Sequence, residues 1–227
     1  MKRVITALLA ALLVLSLAAC GSGVETKKLA GTWTCTIDVT DRMNAAAEQA
    51  LGLSAADGTA QMPLQLVLTV TEDGAYTLRY DSDAARTALD AYAAALRPAA
   101  VESVYAAAEE QGLSREEYDA AMEKAGITMD DMVAAIFAGV DEEELLSLLT
   151  GRSAAITGYC RAEGGQLYLA DTAADLTETA DCLSYTLSDG TMTWTDAQGE
   201  LSSQLTEQEQ ELLRVPLTWT KRAEESK

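Results

Sequence analysis

The stretch Gly31-Thr32-Trp33-Thr34-Cys35-Thr36-Ile37-Asp38-Val39 sets Trp33, Cys35, Ile37 and Val39 on one side of an extended chain and Thr34, Thr36 and Asp38 on the other. A period of two with one apolar side is the pattern of a half-buried strand. The same pattern recurs downstream. Leu64, Leu66, Leu68 and Val70 alternate after Pro63, and Tyr76, Leu78 and Tyr80 alternate after Glu72-Asp73-Gly74. A three-residue loop with Gly74 left-handed pairs Val70 with Tyr76, Leu68 with Leu78 and Leu66 with Tyr80, whereas a two-residue loop would set leucines against polar residues. From Ile156, Gly158, Cys160 and Ala162 lead to a turn at Gly164-Gly165, which brings Leu167 and Leu169 back opposite Ala162 and Cys160. Leu183, Tyr185 and Leu187 turn at Asp189-Gly190 to Met192 and Trp194, a parity that points Cys182 outward. Leu217 and Trp219 follow Pro216 as the last strand. Eight amphipathic strands in succession predict a closed antiparallel up-and-down barrel, in which the first strand pairs with the last and no edge is left open.

The long links are helical in pattern. Asp41 to Leu53 has Met43, Ala47, Ala50 and Leu51 at helical spacing, with Gly52 near its end. Between the third and fourth strands an all-helical insertion, residues 83–150, is expected. Ala84 to Gln111 is rich in alanine, Pro98 either kinks one helix or starts a second, and Gly112 stops it. Three matched caps follow, Ser114 with Glu117, Thr128 with Asp131 and Asp141 with Glu144, opening helices at Arg115–Ala125, Met129–Ala138 and Glu142–Leu149. Thr206 with Glu209 caps a further short acidic helix. Asp81-Ser82-Asp83 reads as a helix start, because a calcium loop needs a glycine at its sixth position and spaced oxygen ligands. Residues 81–150 hold 16 acidic and 4 basic residues.

The N-terminus reads as an export signal. Lys2 and Arg3 precede an apolar run from Val4 to Leu17, shorter than the roughly 20 residues of a spanning helix. Leu17-Ala18-Ala19-Cys20 resembles the lipobox of bacterial lipoproteins, with an ordinary secretory signal as the alternative. The resemblance implies a diacylglyceryl group on Cys20, removal of residues 1–19, a lipid-anchored tether over 20–28 and a mature domain over 29–227. The net charge is −20 for the whole chain, and −22 once Lys2 and Arg3 leave with the signal. Nucleic acid is excluded as a partner on that charge, since phosphate binding needs clustered cations. Cys35, Cys160 and Cys182 remain, an odd number with no histidine to complete a metal set, so buried thiols are favoured over a disulfide.

The opening Gly31-Thr32-Trp33 is similar to the G-x-W of lipocalin-type barrels, and the whole layout resembles lipocalin-like lipoproteins exported by many Gram-positive bacteria. The shared features are the G-T-W-T-x-x-I-D start, the glycine turns, the acidic helical insertion and a P-L-T-(aromatic) last strand. What the resemblance implies is a fold and an address, the extracytoplasmic face of the cell membrane. The chain departs from true lipocalins in its large insertion and in lacking their long terminal helix.

Two functional readings follow. In one, Tyr76, Tyr80, Tyr185 and Trp194 line a mouth that takes a small hydrophobic or amphipathic ligand, against the alternative that these aromatics simply fill the core. In the other, the acidic block docks a cationic envelope partner. No catalytic residue, metal site or cofactor is expected, since neither G-x-S-x-G nor H-E-x-x-H occurs. A non-enzymatic monomer is expected. The tight turns after strands two, four and six gather at one end with Lys27, Lys28, Lys221 and Arg222, and that end is expected to face the membrane.

Overall fold

A computed structural model describes residues 24–53, 60–137, 155–178, 180–198 and 214–223. Eight strands, β1 (Gly31–Asp38), β2 (Pro63–Val70), β3 (Ala75–Tyr80), β4 (Ile156–Glu163), β5 (Gln166–Ala170), β6 (Asp181–Ser188), β7 (Thr191–Gln198) and β8 (Leu217–Lys221), close in sequence order into an antiparallel barrel. The seam pairs Trp33 with Lys221 and Thr34 with Thr220, and the Arg222 N–H donates to the Thr32 carbonyl at 2.8 Å. By packing, the chain divides into two compact units. Among the described residues, a barrel unit holds 24–35, 66–80, 155–178, 180–198 and 214–223, and a helical unit holds 36–53, 60–65 and 81–137.

The turns set the register. Gly74 adopts φ +89°, the Thr71 N–H donates to the Ala75 carbonyl at 2.9 Å, and Val70, Leu68 and Leu66 pair with Tyr76, Leu78 and Tyr80. Ala162 pairs with Leu167 and Cys160 with Leu169. Asp189 (φ +46°) and Gly190 (φ +77°) supply the two left-handed positions of a tight hairpin, which sets Leu187 opposite Met192 and Tyr185 opposite Trp194. The β6–β7 ladder shifts between Ser184 and Tyr185. That irregularity is not visible in the alternation of the sequence.

The barrel unit is packed around its aromatic side chains. Trp33, Trp194, Trp219, Leu167, Leu183 and Met192 are buried, with the rings of Trp194 and Trp219 4.9 Å apart. A short helix over residues 24–29, α1, belongs to the same unit. Its Thr26 hydroxyl accepts the Ala162 N–H at 3.0 Å, Leu29 is buried, and the Leu29 carbonyl accepts the Trp33 indole N–H at 2.7 Å. Thr26 also borders Gly74. Since Ala162 lies next to the β4–β5 turn and Gly74 in the β2–β3 turn, α1 stops the tight-turn end. Residues 24–28, which the sequence assigns to a tether, are thus helical.

The helical unit follows its caps. Among the described residues it contains α2 (Thr40–Leu51), α3 (Ser82–Glu110), α4 (Arg115–Ala125) and α5 (Met129–Phe137). Asp81 accepts the Ala84 N–H at 3.3 Å to start α3, which runs through Pro98 as one helix. Ser114 and Glu117 form a full capping box on α4, and Thr128 with Asp131 makes the corresponding bonds on α5. Leu53, Ala100 and Val133 form a buried cluster, against which Leu51, Val101, Met129, Ile136 and Phe137 pack. None of the α4 residues is buried, and Arg115 ties α4 to α3 through Glu102 at 2.7 Å and Glu109 at 3.2 Å. The expected caps at Asp141 and Thr206, and the helix over 142–149, lie outside the described residues, as does Cys20.

Candidate functional site

Of the four aromatics singled out in the sequence, Tyr185 and Trp194 are directly opposite each other and buried. Trp194 leans on Trp219, and the indole N–H groups of both are buried without a hydrogen-bond partner. Tyr76 and Tyr80 are half-buried on β3, opposite Gly158 and Leu66 respectively. The Tyr76 ring lies where a side chain at 158 would be. A Cβ there would come within 2.6 Å of the Ala170 carbonyl oxygen and 2.9 Å of the Tyr76 ring. Glycine at 158 is therefore a matter of space.

Burial dominates the chemistry of this interior. The Tyr76 hydroxyl is pushed up to about 12, chiefly by desolvation and then by Cys160, Asp171 and Asp181. Burial likewise pushes the Cys160 thiol up to about 12 from its ordinary 9.0, and raises that of Cys35. Cys35, Cys160 and Cys182 are all thiols, the first two buried and Cys182 half-buried. A thiolate is the nucleophile, so neither buried cysteine is set up to react. Because the folded state holds these protons more tightly than the unfolded chain, the associated stability is complete below pH 9 and drains away as the pH rises toward 12. Alkylation with iodoacetamide at pH 8 is expected to label Cys182 in the native protein and to reach Cys35 and Cys160 only on unfolding. Rapid native labelling of Cys160, read by peptide mass, would contradict its burial.

A cavity of about 240 Å³ lies in the helical unit, between α2 and α3. Alanines at 46, 47, 50 and 93 leave the space open, while Met43, Leu89, Leu96 and Phe137 make it apolar. The buried Tyr92 closes one side and donates its hydroxyl to Asn44 Oδ1 at 2.7 Å. The exposed Asp90 adds one carboxylate to the lining. Small-molecule sites usually enclose about 300–1,000 Å³ and are mostly apolar with a few polar groups, so this one suits a single ring or a short alkyl segment. The sequence pattern marks the apolar spacing of both helices. Their mutual alignment joins Asn44 to Tyr92, 48 residues apart, and no local signal carries it.

Among the described residues, no group of His, Cys, Asp and Glu could hold a metal ion, and no helix is long and apolar enough to cross a membrane. Comparison of the chain with protein-family models, curated proteins and solved structures finds no match in any of the three.

Proposed function

We propose that the protein is a lipoprotein held by Cys20 on the extracytoplasmic face of the cell membrane, and that it binds a small amphiphile through the α2–α3 cavity. The lipocalin-like character of the barrel is supported by its closed eight-stranded order and its Gly31-Thr32-Trp33 entry. The observation that carries ligand binding is the apolar cavity with a carboxylate at its edge. The barrel aromatics offer less room, since Trp33, Trp194, Trp219 and Tyr185 are buried among themselves and their neighbours.

The single-ring neutral probe benzyl alcohol is expected to bind the full chain, read by ligand-observed NMR. Ala93→Trp, which fills the cavity, is expected to weaken binding at least about tenfold, a loss of about 1.4 kcal/mol. Tyr185→Phe is expected to leave it unchanged. Equal affinity of the Ala93→Trp and native chains would remove the cavity as the site. It would favour the second reading, in which the exposed acidic surface of α4, with Glu116, Glu117, Asp119 and Glu123, docks a cationic partner.

A further inference from the structure

We infer that the α1 side of the barrel's tight-turn end is a membrane-contact surface, with Val24, Lys27, Lys28, Lys221 and Arg222 set against an anionic lipid bilayer. The inference rests on the lipid-anchor reading and adds to it an orientation with named contacts. Helical spacing gives α1 two sides. Thr26 and Leu29 are buried, while Val24, Lys27 and Lys28 are exposed, Val24 at 53%. Glu25, the one acid of α1, has a carboxylate oxygen buried without a hydrogen-bond partner.

The seam brings two more cations to this side. Lys221 crosses Gly31 and places its ammonium 5.3 Å from the centre of the Trp33 ring, and the Arg222 backbone N–H is bonded to Thr32. Both side chains are exposed. Four cations and one apolar side chain thus meet from segments almost 200 residues apart in a chain of net charge −20. Among the described residues, the acids of the same end, Glu72, Asp73, Glu163 and Asp189, are on the three hairpins, with Asp189 beside Gly190, whose carbonyl accepts the Lys221 N–H.

An exposed apolar residue among lysines is the chemistry of an anionic lipid interface, where the alkyl stems lie along the apolar layer and the ammonium groups meet headgroups. The tether leaves little freedom. Only Gly21, Ser22 and Gly23 separate Cys20 from α1, a reach of at most about 14 Å fully extended. An acylated Cys20 therefore keeps this surface beside the bilayer at high effective concentration.

The test uses the full chain purified from membranes and reconstituted into vesicles of phosphatidylglycerol or of phosphatidylcholine. It carries an environment-sensitive fluorophore at Val24→Cys, in a Cys182→Ser background. Blue-shifted emission, quenched by spin-labelled lipid, is expected in phosphatidylglycerol. The shift is expected to be lost when Lys27, Lys28, Lys221 and Arg222 are changed to glutamate. Water-like emission in phosphatidylglycerol would overturn the contact, and an equal shift in phosphatidylcholine would overturn its dependence on anionic lipid. Fractionation separates the two readings. If the native chain sediments with membranes and Cys20→Ser does not, the anchor stands whatever the fluorophore reports. If the native chain stays soluble, anchor and contact surface fall together.

Discussion

Replacement of Trp219 by alanine is expected to remove about 3–5 kcal/mol of stability from the barrel unit, read as a lower denaturant midpoint by tryptophan-independent circular dichroism. Trp219 is fully buried and packed against Trp194 with the two rings tilted by 48°, so truncation leaves a cavity in a wall shared by β7 and β8 and strips one side of its partner. Thr220→Ala, on the exposed side of the same strand, is expected to stay within about 0.5 kcal/mol of the native protein. The comparison with phenylalanine is more discriminating. The Trp219 indole N–H has no partner, so Trp219→Phe discards an unsatisfied donor together with some volume. At Trp33 the same change orphans the Leu29 carbonyl and loosens α1. Trp33→Phe is therefore expected to be the more damaging of the two by about 1 kcal/mol. A loss below about 1 kcal/mol for Trp219→Ala would mean that this wall is not tightly packed.

The second large effect is expected at Gly74. Its φ of +89° is costly for an L side chain, by about 1–2 kcal/mol. A Cβ would also collide with the carbonyl oxygen of Cys160, on a strand that already holds residue 74 by a 2.7 Å bond from the Cys160 N–H to the Gly74 carbonyl. Neither backbone can yield without opening the β3–β4 ladder. Gly74→Ala is expected to cost about 3 kcal/mol or more. Gly52 is the control, since it has φ +65° but nothing within 4 Å of its Cβ position. Gly52→Ala is expected to cost only about 1 kcal/mol. Equal losses at the two glycines, measured by urea denaturation, would show that the contact with Cys160 adds nothing.

The strands and their register could be read from the sequence because a period of two is unforgiving. With Leu68 and Leu78 both required on the apolar face, a three-residue loop satisfies both and a two-residue loop does not, and the observed pairing is that of the three-residue loop. The Leu187–Met192 and Tyr185–Trp194 pairs follow from the same parity, although the ladder slips just beside Tyr185. Caps were legible for a similar reason, since Ser114 with Glu117 is a local, reciprocal pair. What the sequence hid depends on distant partners. α1 is short and polar, and its place is fixed by Thr26 meeting Ala162, 136 residues away. The sequence of residues 84–111 allows either one helix kinked at Pro98 or two, and α3 runs through Pro98 as one. The α2–α3 cavity arises from alanines on two helices that neighbour each other only in the folded unit.

The pairing of α2 with α3 also bears on how the protein is made. α2 lies in the link between β1 and β2, whereas α3 lies in the link between β3 and β4, so one helical unit is assembled from two connections that are separate in sequence. Excising residues 83–150 would strip partners from Met43 and Ala47, which makes the insertion unsuitable as a removable cassette. During synthesis the apolar side of α2 emerges first and stays without Tyr92 and Leu96 until some 50 further residues have been added. A nascent chain stalled before α3 thus presents a Met- and Ala-lined surface to chaperones, and one stalled after it does not.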